Sequence, residues 1–301
     1  MRARRAPGAG ARLLAWLALC LAGSAHAGPL VVIDDSGQRV ELAQAAQRIV
    51  SLSPGITELL FAAGAGSRVV AVSEYSDFPE AARQLPSVAR AQGIDLERIA
   101  ALRPDLIVTW GSGYSAALLA ALRRLRCPVY VLETRTLEAI AGALERLAAL
   151  SGTAAQGAAA AAQFRARRAR LEQRYSALAP VRVFYQVWNS PVMTLSGGHL
   201  VSEALRSCGA RNVFSQLAPL VATVDVESVI AAQPELIVSA EAGGVDRGAL
   251  ASWRRYAQIP AVAQNRFLTL DADRMDRGSP RILEAMQALC EGVDAVRRER
   301  P

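Results

Sequence analysis

The sequence predicts an α/β protein of two lobes, each with a mainly parallel sheet, joined by one long rigid α-helix. Three observations carry this. Beyond residue 48, short apolar runs alternate with helical stretches, the pattern of parallel strands covered by helices on both faces. One block occurs twice: residues 96–109 lie without a gap on residues 226–239, at an offset of 130. Between the copies, residues 153–178 are rich in Ala, Arg, Gln and Glu, with no Gly after Gly157 and no Pro before Pro180. That is strong helix composition. At ~1.5 Å per residue it spans roughly 37 Å, a stiff hinge between two Rossmann-like units.

Taken in order, the chain opens on Arg2, Arg4, Arg5 and Arg12, then an apolar run over 13–22, then Ala25-His26-Ala27. This is the pattern of a secretory signal, with cleavage expected before Gly28 and export to an oxidising compartment. Leu19 is too large for the lipid-attachment motif that would use Cys20. Residues 28–47 read as a hairpin, with Val31-Val32-Ile33 and Arg39-Val40-Glu41-Leu42 flanking an Asp34-Asp35-Ser36-Gly37 turn. Residues 48–152 form the first lobe, with strands at 49–52, 69–72, 106–110 and 129–132. Residues 153–179 form the bridging helix. Residues 180–301 form the second lobe, with strands at 183–187, 236–239 and 267–270. A second echo pairs Thr57-Glu58-Leu59-Leu60 and Gly64 with Ser202-Glu203-Ala204-Leu205 and Gly209. Here Thr or Ser is expected to open a helix and Gly to close it.

Composition excludes several chemistries. All 34 basic residues are Arg. Without Lys there is no P-loop and no Schiff-base enzyme. Only His26 and His199 occur, so no multi-His metal site can form. Removing the signal leaves 30 Arg against 27 acids, a net of +3, with no electrostatic case for nucleic acid. No later run reaches the ~18 apolar residues of a membrane span. No G-x-S-x-G elbow and no dinucleotide loop occur. His199, after Ser196-Gly197-Gly198, reads as a surface or capping residue. Beyond the signal, Cys127, Cys208 and Cys290 remain, so at least one is unpaired. Cys127 reads as a small buried core residue. Cys208 and Cys290 lie near the ends of amphipathic helical stretches and are favoured as a disulfide, the alternative being three thiols.

Aromatic residues are only 5% of the chain, so their positions count. Tyr75, Trp110 and Trp188 each follow or end a strand. Ligands of open parallel sheets gather outside the carboxyl ends of strands. Three rings there predict a cleft between the lobes, suited to a large planar or apolar ligand.

At this point the residues resemble a family. Arg48-Ile49-Val50-Ser51-Leu52-Ser53-Pro54-Gly55-Ile56-Thr57-Glu58-Leu59, Tyr75-Ser76-Asp77-Phe78-Pro79, Gly93-Ile94-Asp95-Leu96-Glu97-Arg98-Ile99, Arg103-Pro104-Asp105-Leu106-Ile107-Val108, Gly209-Ala210-Arg211-Asn212-Val213-Phe214 and Ser279-Pro280-Arg281-Ile282 resemble periplasmic binding proteins for metal chelates. These are the helical-backbone, class III receptors that feed ABC importers. The Tyr75 segment looks most like the cobalamin-binding members. The resemblance implies a receptor that captures cobalamin or a related corrinoid and delivers it to importer membrane subunits, without chemistry. It implies a ligand site from Gly55, Tyr75, Trp110 and the run Asp273, Arg274, Met275, Asp276, Arg277. It also implies a disulfide between Cys208 and Cys290. Glu97 and Glu227 would dock onto importer arginines; the repeat alone already places them at equivalent positions. No cofactor, no protein-held metal, no membrane insertion and a monomer are expected.

The sequence departs from the cobalamin pattern at two places. Ala91 stands near where a tryptophan is expected, and no aromatic precedes Val224; Trp188 would supply stacking area instead. A ferric-siderophore or haem receptor of the same fold is the alternative, and haem would want Tyr75 or His199 as axial ligand. An enzyme on this scaffold, such as a metal chelatase, is opposed by the lack of a His cluster.

Overall fold

The structure, a computed structural model, describes residues 29–90, 93–245 and 247–300. It begins with the expected hairpin, β1 (Leu30–Ile33) antiparallel to β2 (Arg39–Leu42). Asp34 closes the turn: its Oδ1 accepts the Ser36 and Gln38 N–H groups. Gly37 supplies the positive φ of +80° that the turn requires.

The first lobe runs β3 (Ile49–Ser51), α1 (Pro54–Ala62), β4 (Val69–Ser73), β5 (Ser87–Arg90), β6 (Gly93–Ile94), α2 (Leu96–Ala101), β7 (Leu106–Trp110), α3 (Ala116–Arg123), β8 (Val129–Leu132) and α4 (Leu137–Ser151). Its sheet has the order β6-β5-β4-β3-β7-β8, parallel except for β5–β6. Asp34 Oδ2 and Asp35 Oδ2 accept the Val131 and Glu133 N–H groups, which ties the hairpin to β8.

The bridge is α5 (Ala154–Tyr175), 22 residues and ~33 Å long. It ends at Tyr175, and the Ser176 hydroxyl donates to the Glu172 carbonyl at that end. Gly157 lets α5 approach α4: a Cβ there would lie 2.1 Å from Ala148 Cβ. Ala161, Phe164, Leu171 and Tyr175 continue the buried stripe at helical spacing.

The second lobe contains β9 (Val181–Asn189), β10 (Val192–Leu195), α6 (Leu200–Ser207), β11 (Ala210–Asn212), β12 (Val221–Thr223), α7 (Val226–Ala232), β13 (Leu236–Glu241), α8 (Pro260–Ala263), β14 (Phe267–Asp271), α9 (Ala272–Met275) and α10 (Ile282–Arg298). The order is β12-β10-β9-β13-β14, with β11 also on β9. Ladders to β11, β13 and β14 are parallel; those of β10 are antiparallel. Strands of both six-stranded sheets, such as β3, β7, β8 and β13, are buried on both faces, which explains their uninterrupted apolar runs. One core passes from Leu144 and Phe164 to Val201, Leu205 and Leu289, so an apolar seam joins the lobes alongside α5. No helix among the described residues is long and apolar enough to cross a membrane.

The repeat holds at the level of atoms. Asp105 accepts the Arg48 N–H at 2.9 Å, and Arg48 Nη2 donates to the Leu102 carbonyl. In the second lobe Glu235 accepts the Arg182 N–H at 3.0 Å, and Arg182 Nε donates to the Gln233 carbonyl. Arg103 and Gln233 both adopt positive φ, 45° and 48°, at the same step. In both lobes the acid of the Pro-acid turn thus accepts an N–H at the start of a neighbouring strand, and the Arg there donates to a carbonyl at the end of the preceding helix.

Two expectations about caps are corrected. Thr57 and Ser202 lie inside α1 and α6, because Pro54 and Leu200 start those helices earlier. Thr57 instead returns its hydroxyl to Ser53 O. The closing glycines do sit just past the helices, at φ of +82° for Gly64 and +67° for Gly209.

Cys208, at the end of α6, is bonded to Cys290 in α10, S–S 2.02 Å. Cys127 is free and half-buried rather than fully buried; burial, with Asp105 nearby, pushes its thiol up to about 12. The bridge closes a loop of separation 82, for which chain entropy predicts about 4 kcal/mol. Reduction should therefore lower the urea midpoint, and non-reducing peptide mapping should recover the Cys208–Cys290 pair with Cys127 alkylatable after unfolding.

Candidate functional site

A cavity of about 260 Å³ opens where the lobes meet. Its floor is Ser53-Pro54-Gly55 at the start of α1 and Trp110 at the end of β7. Glu133 to Arg135, the entry to α6 at His199, Leu220 and Asp276 to Gly278 complete it. These are carboxyl ends of strands and the helix starts that follow them, where side chains of different elements converge. Trp110 is 47% exposed although it ends a buried strand. Gly113 keeps the loop clear of it, since a Cβ there would lie 2.5 Å from the ring.

A charge network beside the cavity joins the two lobes. Glu58, 3% exposed, accepts from Arg277 Nη1 and Arg281 Nη1, both at 3.0 Å, and from the Ser279 hydroxyl. Arg277 also bonds Asp77 Oδ1 and Asp273 Oδ1 at 2.7 Å each. Burial opposes ionisation of Asp77, but Arg277 outweighs it and the carboxyl is lowered. Arg281 lies 4.2 Å from the centre of the Phe78 ring. Gly55 is indispensable here: a Cβ would come within 1.9 Å of the Arg277 carbonyl oxygen. Across the molecule Glu203, the repeat partner of Glu58, reaches back to the first lobe. It accepts the Leu137 N–H at 2.8 Å and pairs with Arg168 of the bridge. Two carboxylates from equivalent helices thus clasp the lobes in opposite directions.

Asp276 sits in the cavity wall with the Tyr185 hydroxyl 3.4 Å from its Oδ1. Its carboxyl is open to cleft water but crowded by protein elsewhere. Burial raises its pKa to about 6, the Tyr185 bond opposes this and Asp273 adds to it. The folded pKa lies above the ordinary value of about 4, so the fold disfavours the ionised form. That penalty is absent below about pH 4 and complete above about pH 6. Asp276→Asn should therefore gain stability relative to the parent as pH rises from about 4 to 6, read as a difference in melting-temperature slope.

Of the residues singled out in the sequence, Gly55, Trp110, Asp276 and Arg277 meet in the cavity wall. Tyr75 follows β4 at φ 64° and is 73% exposed, outside that wall. Asp273 acts through Arg277. Three expectations need correction. Met275 is fully buried in the core and faces no ligand space. Arg274 turns outward to Asp271 and Glu284. Trp188 lies within β9, which continues to Asn189 and pairs with β10; it lines a separate cleft of about 310 Å³ with Gln186, Glu241 and Arg247. Thr109 and Ser239, repeat partners in β7 and β13, bury hydroxyl oxygens that have no hydrogen-bond partner among the described residues.

Glu97 and Glu227 are exposed in the first turns of α2 and α7. Asp95 and Asp225 cap those helices by accepting the N–H of Arg98 and Ser228. His199 caps α6. Glu58 was not singled out in the sequence because it lies within an apolar helix far along the chain from its partners; its echo in Glu203 was the available signal.

A family profile described as periplasmic binding protein matches residues 49–274. The chain is a periplasmic binding protein. This binding protein is 38% identical over 254 residues to the vitamin B12-binding protein of Vibrio parahaemolyticus, covering 84% of this chain and 92% of that one. It is 39% identical over 254 residues to the vitamin B12-binding protein of Yersinia pestis, covering 84% and 89%. Among solved structures, the periplasmic vitamin B12 binding protein BtuF of Vibrio cholerae superposes with a TM-score of 0.76 at 37% identity, covering 84% of this chain and 99% of that one. The periplasmic heme-binding protein RhuT of Roseiflexus sp. RS-1 superposes with a TM-score of 0.73 at 25% identity, covering 84% and 99%. The periplasmic binding protein fold thus matches the two α/β units and connecting helix described above.

Proposed function

We propose that this periplasmic binding protein captures vitamin B12 or a related corrinoid in the inter-lobe cleft and delivers it to an ABC importer. The observation that carries this is the 37% identity to BtuF over 99% of that chain, against 25% to the heme-binding RhuT. The cavity supports the reading with one large ring, Trp110, beside polar groups of Asp276 and Arg277. A corrinoid is several times larger than this cavity. It would sit partly outside, where Tyr75, Asp77 and Asp273 lie, or widen the cleft against the Glu58 clasp. Export to the periplasm, a monomeric state and the absence of turnover belong to the same reading.

The test is the absorption spectrum of protein isolated from its host, followed by calorimetric titration with cyanocobalamin. A corrinoid spectrum and tight binding are expected; a haem or ferric-siderophore spectrum would overturn the assignment. Trp110→Ala should weaken binding by ~1–3 kcal/mol through lost apolar contact, with a smaller loss for Tyr75→Ala. Unchanged affinity in Trp110→Ala would remove that ring from the site.

A further inference from the structure

His199 lines the cavity at the start of α6. Its Nδ1 accepts the Val201 N–H at 3.1 Å, so that lone pair is committed to the helix terminus. A neutral imidazole has one donor and one acceptor nitrogen; with Nδ1 accepting, the proton sits on Nε2. Burial lowers the pKa of the ring and favours this neutral form. Nε2, the other ring nitrogen, makes no bond among the described residues. Gly198 beside it carries no side chain to cover the ring.

We propose that His199 is a ligand-binding residue that donates its Nε2–H to an acceptor oxygen of the bound molecule and does not ligate a metal. The proposal rests on the corrinoid reading, because the rim of a corrinoid carries amide carbonyls that accept such a bond. Metal coordination through Nε2 would move the ring proton to Nδ1. There it would confront the Val201 N–H, and α6 would lose its cap.

The test compares the parent with His199→Ser. Serine keeps an N-cap acceptor, so the melting temperature should not change, while the ring donor is lost. Cyanocobalamin affinity should fall about three- to tenfold, the size of an ordinary hydrogen bond. Nitrogen-15 spectra supply a measurement independent of ligand. The chain has two histidines, and the signals that vanish in His199→Ser belong to His199. They should show the proton on Nε2, with that proton shifting when cyanocobalamin is added. Equal affinity in the serine variant, or a proton on Nδ1, overturns the proposal. So does a change in the visible spectrum of bound aquocobalamin that disappears in the variant, since that marks metal ligation. A parent protein that binds no corrinoid while its Nε2 is protonated overturns the corrinoid reading and the acceptor named here, an outcome distinct from the others.

Discussion

Glu58→Ala is expected to lower the unfolding free energy by roughly 3 kcal/mol, near the low end for breaking a buried ion pair. The carboxylate is 3% exposed and receives two guanidinium groups and a hydroxyl from the other lobe. Removing it leaves Arg281, whose side chain is 16% exposed, without a carboxylate partner, and Ser279 without its acceptor. Arg277 keeps Asp77 and Asp273, which limits the loss. Urea denaturation should show a lower midpoint with an unchanged slope. Glu58→Gln preserves volume and part of the bonding and should cost less. An unchanged midpoint in Glu58→Ala would mean that the clasp contributes nothing to holding the lobes.

This clasp also marks where sequence reasoning stopped. The hairpin, the strands β3, β4, β7, β8, β9, β13 and β14, the bridge and the repeat were legible because period, composition and turn chemistry are local; the short strands β5, β6, β10, β11 and β12 were not. The Pro-acid turns at 104–105 and 234–235 were legible twice over, and the structure gives the same backbone reversal in both. The cysteine pair could be favoured because Cys208 and Cys290 both lie near the ends of amphipathic helical stretches, and the family resemblance implies the same pair. Glu58 meets Arg277 across a sequence separation of 219, and nothing near either residue announces the other. Met275 shows a related limit. It shares a short helix with Arg274 on the surface and adjoins Asp276 in the cavity wall, yet one step of helical rotation buries it. Trp188 was misplaced because β9 runs on to Asn189 and takes an antiparallel partner, so it lines another cleft. Register decides such cases, and register depends on pairing across the sheet.

The double variant Glu97→Ala with Glu227→Ala is expected to bind cyanocobalamin as the parent does and to fail in uptake. Both side chains are exposed at the second position of a short helix, one in each lobe. The caps of those helices are Asp95 and Asp225, so the glutamates are not needed for capping. Their dipole contribution is worth only ~0.3–1 kcal/mol each, and the melting temperature should move little. A rigid frame that presents two carboxylates at repeat-related places suits two cationic sockets on an importer, where each charge loses hydration and regains it only by pairing. Truncating one partner of such a buried pair costs roughly 2 kcal/mol or more, and losing both would abolish productive docking. Reconstituted transport, transporter ATPase stimulation, ligand affinity and melting temperature should be measured on the same protein. Normal transport would remove both glutamates from the importer interface. Loss of ligand binding would place them in the cleft instead, against their exposure on the helix starts.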